Sequence, residues 1–380
     1  MAKTRDLGMG LALSGGGFRA SLFHLGSFLR LNELGLLRRL DMITSVSGGS
    51  IISGLMARRW NELTWKEQPQ GLVAANFLEK IEAPLRDFCA RNIDLWAGLL
   101  GILSPFSSMA DNLIKAYDKH LYDGYTLQQL PEPVPGKAPR FVFYATNLQT
   151  GANVRLSRKY LADYKVGRIN KPDFLLAKVV AASSAFPPVF SPVIFNFKDI
   201  AIWQSMEGTY LYDRKDLKES LFLVDGGIYD NLGLEAIWDR CEKVLVSNAS
   251  APLEIKASPA TDPMRQLGRV RDILMEQTHA LRQRRLVEGF KKEEGRGAYW
   301  GIGTKIANYD LEDALTTDNT LTQKLQEIRT RLNEFSEEEQ GQLINWGYAL
   351  TDAAMRSYGK LMLTAALPKP AWPAPEYALG

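Results

Sequence analysis

A serine in a predicted tight turn is the residue of this sequence best suited to act as a nucleophile. Ser47 lies in the stretch Thr-Ser-Val-Ser-Gly-Gly-Ser at residues 44–50, after the apolar pair Met42-Ile43 and before an apolar helical pattern. This order predicts a strand, a sharp turn and a helix, which lifts a serine hydroxyl above a sheet edge and lets a backbone N–H face the group that it attacks. The usual elbow is G-x-S-x-G, and here Ser45 stands at the first glycine position.

A carboxylate at the end of a later apolar run is the candidate base. Residues 221–224 are apolar and predict a strand that ends at Asp225. Gly226 and Gly227 follow, so another loop can approach this carboxylate closely. Acyl transfer needs a group that takes the proton of the nucleophile, and this placement predicts a Ser-Asp dyad. A carboxylate with a reference pKa of ~3.9 is a weak base for a hydroxyl, so oxyanion donors are expected to supply much of the rate.

Histidine is an alternative base with less support in the pattern. The histidines lie in predicted helices or in a predicted insertion, and no matching acidic motif accompanies them: His24, His120 and His279. A Ser-His-Asp triad therefore stays open beside the dyad.

A glycine-rich turn near the N-terminus is suited to bind negative charge. Residues 8–14 predict a buried strand, residues 15–17 are all glycine, and apolar residues at helical spacing follow. The first N–H groups of a helix are unpaired and lie at its positive end, so they favour an oxyanion or a phosphate.

The same glycines also fit a dinucleotide-binding pattern. Gly15, Gly17 and Ala20 match G-x-G-x-x-A, which would indicate a nucleotide-dependent oxidoreductase. That site needs an acid at the end of the second strand, whereas Asp41 precedes the second apolar run. The pattern therefore favours an oxyanion site over a nucleotide site.

Taken together, the three motifs resemble those of the patatin-like phospholipases. They occur in the order Gly-Gly-Gly-Phe-Arg at residues 15–19, Ser-Val-Ser-Gly-Gly at residues 45–49 and Asp-Gly-Gly at residues 225–227. The resemblance covers residues 8–250, and residues 17–20 are also similar to the catalytic domain of cytosolic phospholipases A2.

This resemblance implies an α/β fold with three layers, α/β/α, and hydrolysis of the fatty-acyl esters of lipids without metal or cofactor. It implies Ser47 and Asp225 as the catalytic dyad. The implied oxyanion hole consists of Gly15, Gly16, Gly17 and Gly48, and the implied supporting residues are Arg19, Gly226 and Gly227. We treat Ser45, which departs from the family's elbow glycine, as a tolerated variant.

The catalytic domain is predicted to span residues 1–250. It contains a helical insertion at about residues 61–130, where no strand-like run occurs. Strands at residues 140–146 and 153–156 follow, and the series of strands is predicted to end at residues 243–247.

Residues 251–380 predict a helical region packed on this domain. Apolar residues at helical spacing recur over residues 321–335. A capping box, Ser-Glu-Glu-Glu at residues 336–339, predicts the start of the last helix.

The composition is that of a folded protein with little bias towards any partner. The chain has 380 residues, of which 46% are hydrophobic and 23% charged, and its net charge of +3 with a pI near 8.6 is too small to indicate nucleic-acid binding. Cys89 and Cys241 are far apart in sequence, which predicts no disulfide framework and a reducing compartment. The N-terminus lacks the pattern of a secretory signal.

Two segments are candidates for membrane contact. The apolar stretch from Leu95 to Leu103 is too short to span a bilayer, which needs ~20 residues, and predicts either a buried helix or a lipid-facing lid. The arginine-rich segment at residues 265–285 also contains Asp272 and Glu276, as an ordinary solvated helix does.

The leading hypothesis is a cytoplasmic lipid acyl hydrolase whose partner is its lipid substrate, with peripheral membrane contact. The alternative is a lipid-binding pseudoenzyme or scaffold of the same fold. A pseudoenzyme is expected to lose Ser47 or Asp225, so the presence of both favours the enzyme.

Overall fold

The chain folds around a central mixed β-sheet, in a computed structural model that describes residues 5–93, 109–364 and 367–380. The described strands are β1 (Leu7–Leu13), β2 (Leu40–Ser45), β3 (Trp65–Gln68), β4 (Gly71–Ala74), β5 (Arg140–Asn147), β6 (Asn153–Leu156), β7 (Tyr160–Asp163), β8 (Gly167–Asn170), β9 (Val193–Asn196), β10 (Trp203–Gln204), β11 (Ser220–Asp225), β12 (Cys241–Asn248) and β13 (Gly297–Gly301).

The parallel part of the sheet has the order β5-β2-β1-β12-β13. Its strands are continuous apolar runs that are buried on both faces, as parallel strands covered by helices are. Leu13 pairs with Ser45, so β1 and β2 end at the same level of the sheet. The glycine turn after β1 and the serine turn after β2 therefore lie side by side.

An antiparallel part extends the sheet beyond β5 in the order β6, β7, β8 and β10. A separate branch pairs β11 with both β5 and β9. Asp225, the last residue of β11, pairs with Ala145 of β5. Because β5 neighbours β2, this branch brings Asp225 to the edge where the serine turn lies.

Helices cover both faces of this sheet and form the outer layers of an α/β/α arrangement. The described α-helices are α1 (Gly17–Glu33), α2 (Gly48–Arg59), α3 (Ala83–Cys89), α4 (Met109–Tyr117), α5 (Leu176–Ser184), α6 (Asp216–Glu219), α7 (Gly227–Asp230), α8 (Glu235–Trp238), α9 (Pro263–Lys292), α10 (Thr320–Lys324) and α11 (Glu337–Tyr358). Helices α1, α2 and α11 pack in the larger of two cores, and α8 with part of α9 packs in the smaller core on the opposite face.

Helices α1 and α11 pack together closely because each has a glycine at the contact. A Cβ at Gly26 would overlap the Ile344 carbonyl, and one at Gly347 would overlap the Phe23 carbonyl. As the capping box predicts, Ser336 caps α11, its hydroxyl accepting a hydrogen bond from the N–H of Glu339.

The prediction that strands end near residue 247 is wrong. Strand β13 pairs in parallel with β12, so the region after residue 250 contributes to the central sheet. The prediction of a helix over residues 321–335 is also wrong, because α10 ends at Lys324 and only a short 3₁₀ turn, Leu325–Glu327, continues it.

The predicted insertion contains strands as well as helices. Strands β3 and β4 form an antiparallel hairpin, which contradicts the expectation of a purely helical segment. The stretch from Leu95 to Leu103 lies outside the described residues. Among the residues that the structure does describe, no helix is both long and apolar enough to cross a bilayer.

A buried ion pair joins α1 to α11, and we expect its removal to destabilise the fold. Arg30 and Asp352 have side chains 0% and 1% exposed and lie 2.7 Å apart. Asp352→Asn should lower the free energy of unfolding by about 3–5 kcal/mol, because a buried guanidinium loses its main counter-charge. Asp313→Asn, which breaks an ion pair at a carboxylate 79% exposed, should cost less than about 1 kcal/mol. Equal losses in urea unfolding would contradict this packing.

Candidate active site

Ser47 lies at the apex of a strained turn between β2 and α2. Its φ of 50° and ψ of −120° are rare for a residue with a side chain, and Gly48 begins α2 directly after it. Ser45 precedes the turn inside β2, where extended backbone needs no glycine, and its hydroxyl accepts a hydrogen bond from Ser50. The substitution at the usual first glycine therefore adds no backbone strain.

The glycine turn packs directly against the serine turn. A Cβ at Gly48 would overlap the carbonyl oxygen of Gly17, and a Cβ at Gly15 would lie 3.1 Å from the Cβ of Ser47. Gly16 and Gly17 have φ values of 142° and 59°, which favour glycine. The two turns are thus in contact through positions where only glycine fits.

The C-terminal end of α5 holds the serine turn and the aspartate turn together. The Ser183 carbonyl accepts a hydrogen bond from the Ser47 N–H at 3.2 Å and another from the Gly226 N–H at 3.1 Å. The neighbouring Ala185 carbonyl accepts from the Asp225 N–H at 3.1 Å. The carbonyls of Ser183 and Ala185, at the end of α5, therefore link the two turns.

Asp225 is a buried carboxyl beside the candidate nucleophile. Its side chain is 3% exposed, and Oδ1 accepts a hydrogen bond from the Gly227 N–H at 2.7 Å. Burial raises the pKa of Asp225 to about 6, while hydrogen bonds from the Ser47 hydroxyl and the Gly227 N–H oppose that rise. The carboxyl is therefore a stronger base than its ordinary value suggests.

Backbone N–H groups beside Ser47 can stabilise negative charge. Within the described part of the chain, no acceptor is found for the N–H groups of Gly16, Gly17 and Gly48, which precede or begin helices α1 and α2. The N–H of Gly15 instead donates to the Asn231 carbonyl at 3.2 Å. Gly15 thus contributes close packing, and the other three glycines retain donors.

Arg19 is a buried structural residue. It is 1% exposed, and its guanidinium donates to the carbonyls of Ala249, Gln326 and Ile328. Burial without a carboxylate lowers the pKa of Arg19 to about 9. The arginine ties the start of α1 to the loop that follows α10.

The histidines are poorly suited to act as the base. His24 is fully buried between Ser14 and Ser247, and His120 is not part of the cavity that contains Ser47. His279 does line that cavity, but burial lowers its pKa to about 4. Its Nε2 accepts from the Asn248 amide, which leaves the proton of the neutral ring on Nδ1. That nitrogen cannot take a proton from a serine.

Asn231 packs against the glycine turn after β1 and against the aspartate turn after β11, and it was not identified from the sequence. Its amide donates to the Ser250 hydroxyl at 2.8 Å, and its Oδ1 lies so close to Gly15 and Gly227 that a Cβ at either would collide with it. A lone asparagine after Asp-Gly-Gly carries no periodic signal, so only the folded contacts identify this role.

The residues brought together here line one cavity of about 440 Å³. Ser47, Asp225 and the glycines 15–17 line it, and helix α9 contributes both polar residues and Met275. The apolar lining residues are Phe186, Val189, Phe190, Ala251, Pro252, Leu253, Met275 and Leu332. Among the described residues, no group of three or more histidine, cysteine or acidic side chains is arranged to hold a metal ion.

The acid of the dinucleotide pattern lies away from this site. Asp41 accepts hydrogen bonds from the N–H groups of Gly8 and Met9 at 2.7 and 3.2 Å. This carboxylate of β2 therefore lies beside the start of β1, whereas the glycine turn follows the end of β1.

The raised pKa predicts that Asp225 destabilises the fold near neutral pH. A carboxyl whose folded pKa exceeds its ordinary value of 3.8 contributes stability below that value, and the contribution is lost as pH rises through about 6. Asp225→Asn should therefore raise the free energy of unfolding by on the order of 1–3 kcal/mol at pH 8, with the gain vanishing near pH 4. The exposed Asp216→Asn serves as control and should show no such gain. A gain at pH 8 that persists undiminished at pH 4 would contradict the assigned shift.

Comparisons with known proteins give a match to one family model and a likeness in fold to solved structures. Residues 11–238 match the family model described as patatin-like phospholipase. Human GIVD cytosolic phospholipase A2 is similar in structure, with a TM-score of 0.50 and 12% identity over 94% of this chain, which spans 62% of that protein's solved chain.

A second solved structure, VipD from Legionella pneumophila, has a TM-score of 0.40 and 16% identity over 93% of this chain and 67% of its own. No curated protein matches the chain. At such low identity the structural likeness to the human enzyme concerns the fold alone, whereas the family model covers more than half of the sequence. The protein therefore belongs to the patatin-like phospholipase family.

Proposed function

We propose that this protein hydrolyses fatty-acyl esters of lipids through a Ser47–Asp225 dyad. The observation that carries the proposal is that Ser47, at the apex of its turn, and the buried Asp225 line one cavity, where burial raises the pKa of the Asp225 carboxyl to about 6. A base that titrates near the working pH is both ionised and able to accept a proton, which makes general-base catalysis efficient.

The first half-reaction transfers the acyl group to the protein. The Ser47 oxygen attacks the ester carbonyl carbon while its proton passes to Asp225. The resulting oxyanion accepts hydrogen bonds from the N–H groups of Gly16, Gly17 and Gly48, and losing one such donor typically costs about 10²–10³ in rate. Collapse of this intermediate breaks the ester bond, and Asp225 returns its proton to the departing alcohol.

The second half-reaction regenerates the serine. Water attacks the acyl-enzyme carbonyl and gives a proton to Asp225, and the same N–H groups hold the oxyanion. The C–O bond to Ser47 then breaks, the serine oxygen takes the proton back, and a fatty acid is released. A single carboxyl therefore serves as base and acid in turn.

The cavity walls support a lipid as the substrate class. The apolar side chains that line the cavity with Ser47, including Phe186, Phe190 and Leu332, can accommodate an acyl chain. Both cysteines are free and buried, which is consistent with action in a reducing compartment, and we propose the cytoplasm.

The direct test is the release of free fatty acids from a mixed phospholipid extract. Ser47→Ala and Asp225→Asn should each lower turnover at least about 10³-fold, and the double variant should be no worse, because the two groups act as one unit. Ser205→Ala and Asp216→Asn, which change a serine and an aspartate outside the cavity, should retain full turnover.

Two outcomes would contradict this assignment. If Asp225→Asn kept its turnover while His279→Ala lost it, the base would be a histidine. If the unchanged protein released no fatty acid from any lipid, the protein would be the lipid-binding pseudoenzyme of the same fold.

The pKa of Asp225 predicts the acid limb of the pH profile. Hydrolysis requires the ionised carboxyl, so kcat/KM for an uncharged, water-soluble ester should be constant above pH 7 and fall below about pH 6. An uncharged ester keeps substrate ionisation out of the profile. An acid limb centred near pH 4, the ordinary range of a carboxyl, would contradict the role of burial.

A further inference from the structure

Helix α9 exposes several of its apolar side chains to solvent. Of the residues in this long helix, Pro263–Lys292, only His279 and Leu286 are buried. Its polar residues Asp272, Glu276 and His279 line the cavity. A helix that packs on a protein core normally shows the reverse pattern.

The exposed face of α9 carries a stripe of leucine and other aliphatic side chains. Leu267, Leu274 and Leu281 repeat every seven residues and are 66%, 62% and 60% exposed. Val270 and Ile273, which are 50% and 38% exposed, lie beside them on the same side of the helix. Exposed Gln277 and Thr278 separate Leu274 from Leu281, so the stripe is apolar but not continuous. Clustered exposed apolar side chains of this kind mark a binding site for a partner.

The same exposed face becomes basic towards the C-terminus of the helix. The exposed cations there are Arg284, Arg285, Lys291 and Lys292, and the exposed carboxylate among them is Glu288. Asp272 and Glu276, which in the sequence suggested an ordinary solvated helix, lie on the cavity side and so do not neutralise this face.

Apolar exposure continues at the rim of the cavity. Val189 lines the cavity and is 47% exposed, and Ile255 is 94% exposed between two lining residues, Glu254 and Lys256. Arg271 of α9 donates to the Pro187 carbonyl at 3.0 Å, which ties the helix to the turn that holds Val189.

We propose that the outer face of α9 binds an anionic lipid surface. The aliphatic stripe would enter the boundary between headgroups and acyl chains, and the basic end would contact anionic headgroups, as in other interfacial helices. Because α9 also forms one side of the cavity, this docking brings the cavity rim to the bilayer. The proposal rests on the function proposed above, since that function gives the cavity a reason to meet lipid.

Vesicle flotation tests this proposal without depending on hydrolysis. All proteins carry Ser47→Ala, and the vesicles are either phosphatidylcholine alone or equal parts of phosphatidylcholine and phosphatidylserine. Adding Leu267→Gln and Leu274→Gln should lower the partition coefficient on mixed vesicles at least about tenfold, because two exposed leucines no longer enter the interface. The matched control, Leu78→Gln with Leu361→Gln, changes two leucines that are 60% and 73% exposed elsewhere and should bind within about twofold of the parent.

The basic end has its own test. Arg284→Gln with Arg285→Gln should lower binding to mixed vesicles about 25-fold and affect phosphatidylcholine vesicles much less, since each cation near an anionic surface contributes on the order of fivefold. Raising the salt concentration should reduce the same difference.

Several outcomes would overturn the proposal. One is that the parent protein binds neither vesicle, and another is that the leucine variant binds as well as the parent. Sedimentation velocity adds a further test. If the protein is a dimer that dissociates on the leucine changes while vesicle binding is unaltered, the stripe binds a second copy of the chain. If the protein binds vesicles as expected but, with Ser47 restored, releases no fatty acid, the proposed function is wrong and the proposed lipid-binding face of α9 stands.

Discussion

The geometry of the candidate site depends on one backbone carbonyl at the end of helix α5. The Ser183 oxygen accepts hydrogen bonds from the N–H groups of Ser47 and Gly226, so it fixes the turn after β2 relative to the turn after β11. These turns are far apart in sequence, and no strand pairing joins β2 directly to β11. A carbonyl at a helix end has no intrahelical partner, so the Ser183 carbonyl can accept the hydrogen bonds that join the serine turn to the aspartate turn.

The same arrangement explains why the site is costly to the fold. Ser47 occupies a strained backbone conformation, and Asp225 is a carboxyl buried with few donors. Both features reduce stability, and both serve the proposed chemistry, because the turn exposes the hydroxyl and burial raises the pKa of the base. The surrounding structure compensates with close glycine contacts and with the long α1–α11 packing in the larger core.

The parts of the fold that the sequence predicted well are those with local signals. The strand-turn-helix around Ser47, the strand that ends at Asp225 and the cap at Ser336 each follow from residues that are neighbours in the chain. Patterns that depend on distant contacts were predicted poorly. Residues 321–335 have helical spacing but do not form one helix. The carbonyls of Gln326 and Ile328 accept hydrogen bonds from the Arg19 guanidinium and not from the backbone N–H groups of a continuing helix.

Strand β13 shows the opposite case, since a short segment flanked by glycines becomes a strand by pairing with β12. Within the site, Ser47, Asp225 and the glycine turn could be identified from sequence, whereas Ser183 and Asn231 could not. Ser183 contributes a backbone carbonyl and a hydroxyl, and Asn231 contributes its side-chain amide, and no periodic pattern in the sequence marks such contacts. The outward stripe of α9 was likewise hidden, because spacing alone does not tell which face of a helix meets the core.

The most direct test of the account is the reaction of the protein with an alkyl fluorophosphonate, in which an activated serine attacks phosphorus and expels fluoride. Peptide mass spectrometry locates the adduct, and its rate of formation is followed against pH. We expect one adduct on Ser47, forming more slowly below about pH 6 and much more slowly in Asp225→Asn. An adduct on another residue, or an unchanged rate in Asp225→Asn, would contradict it.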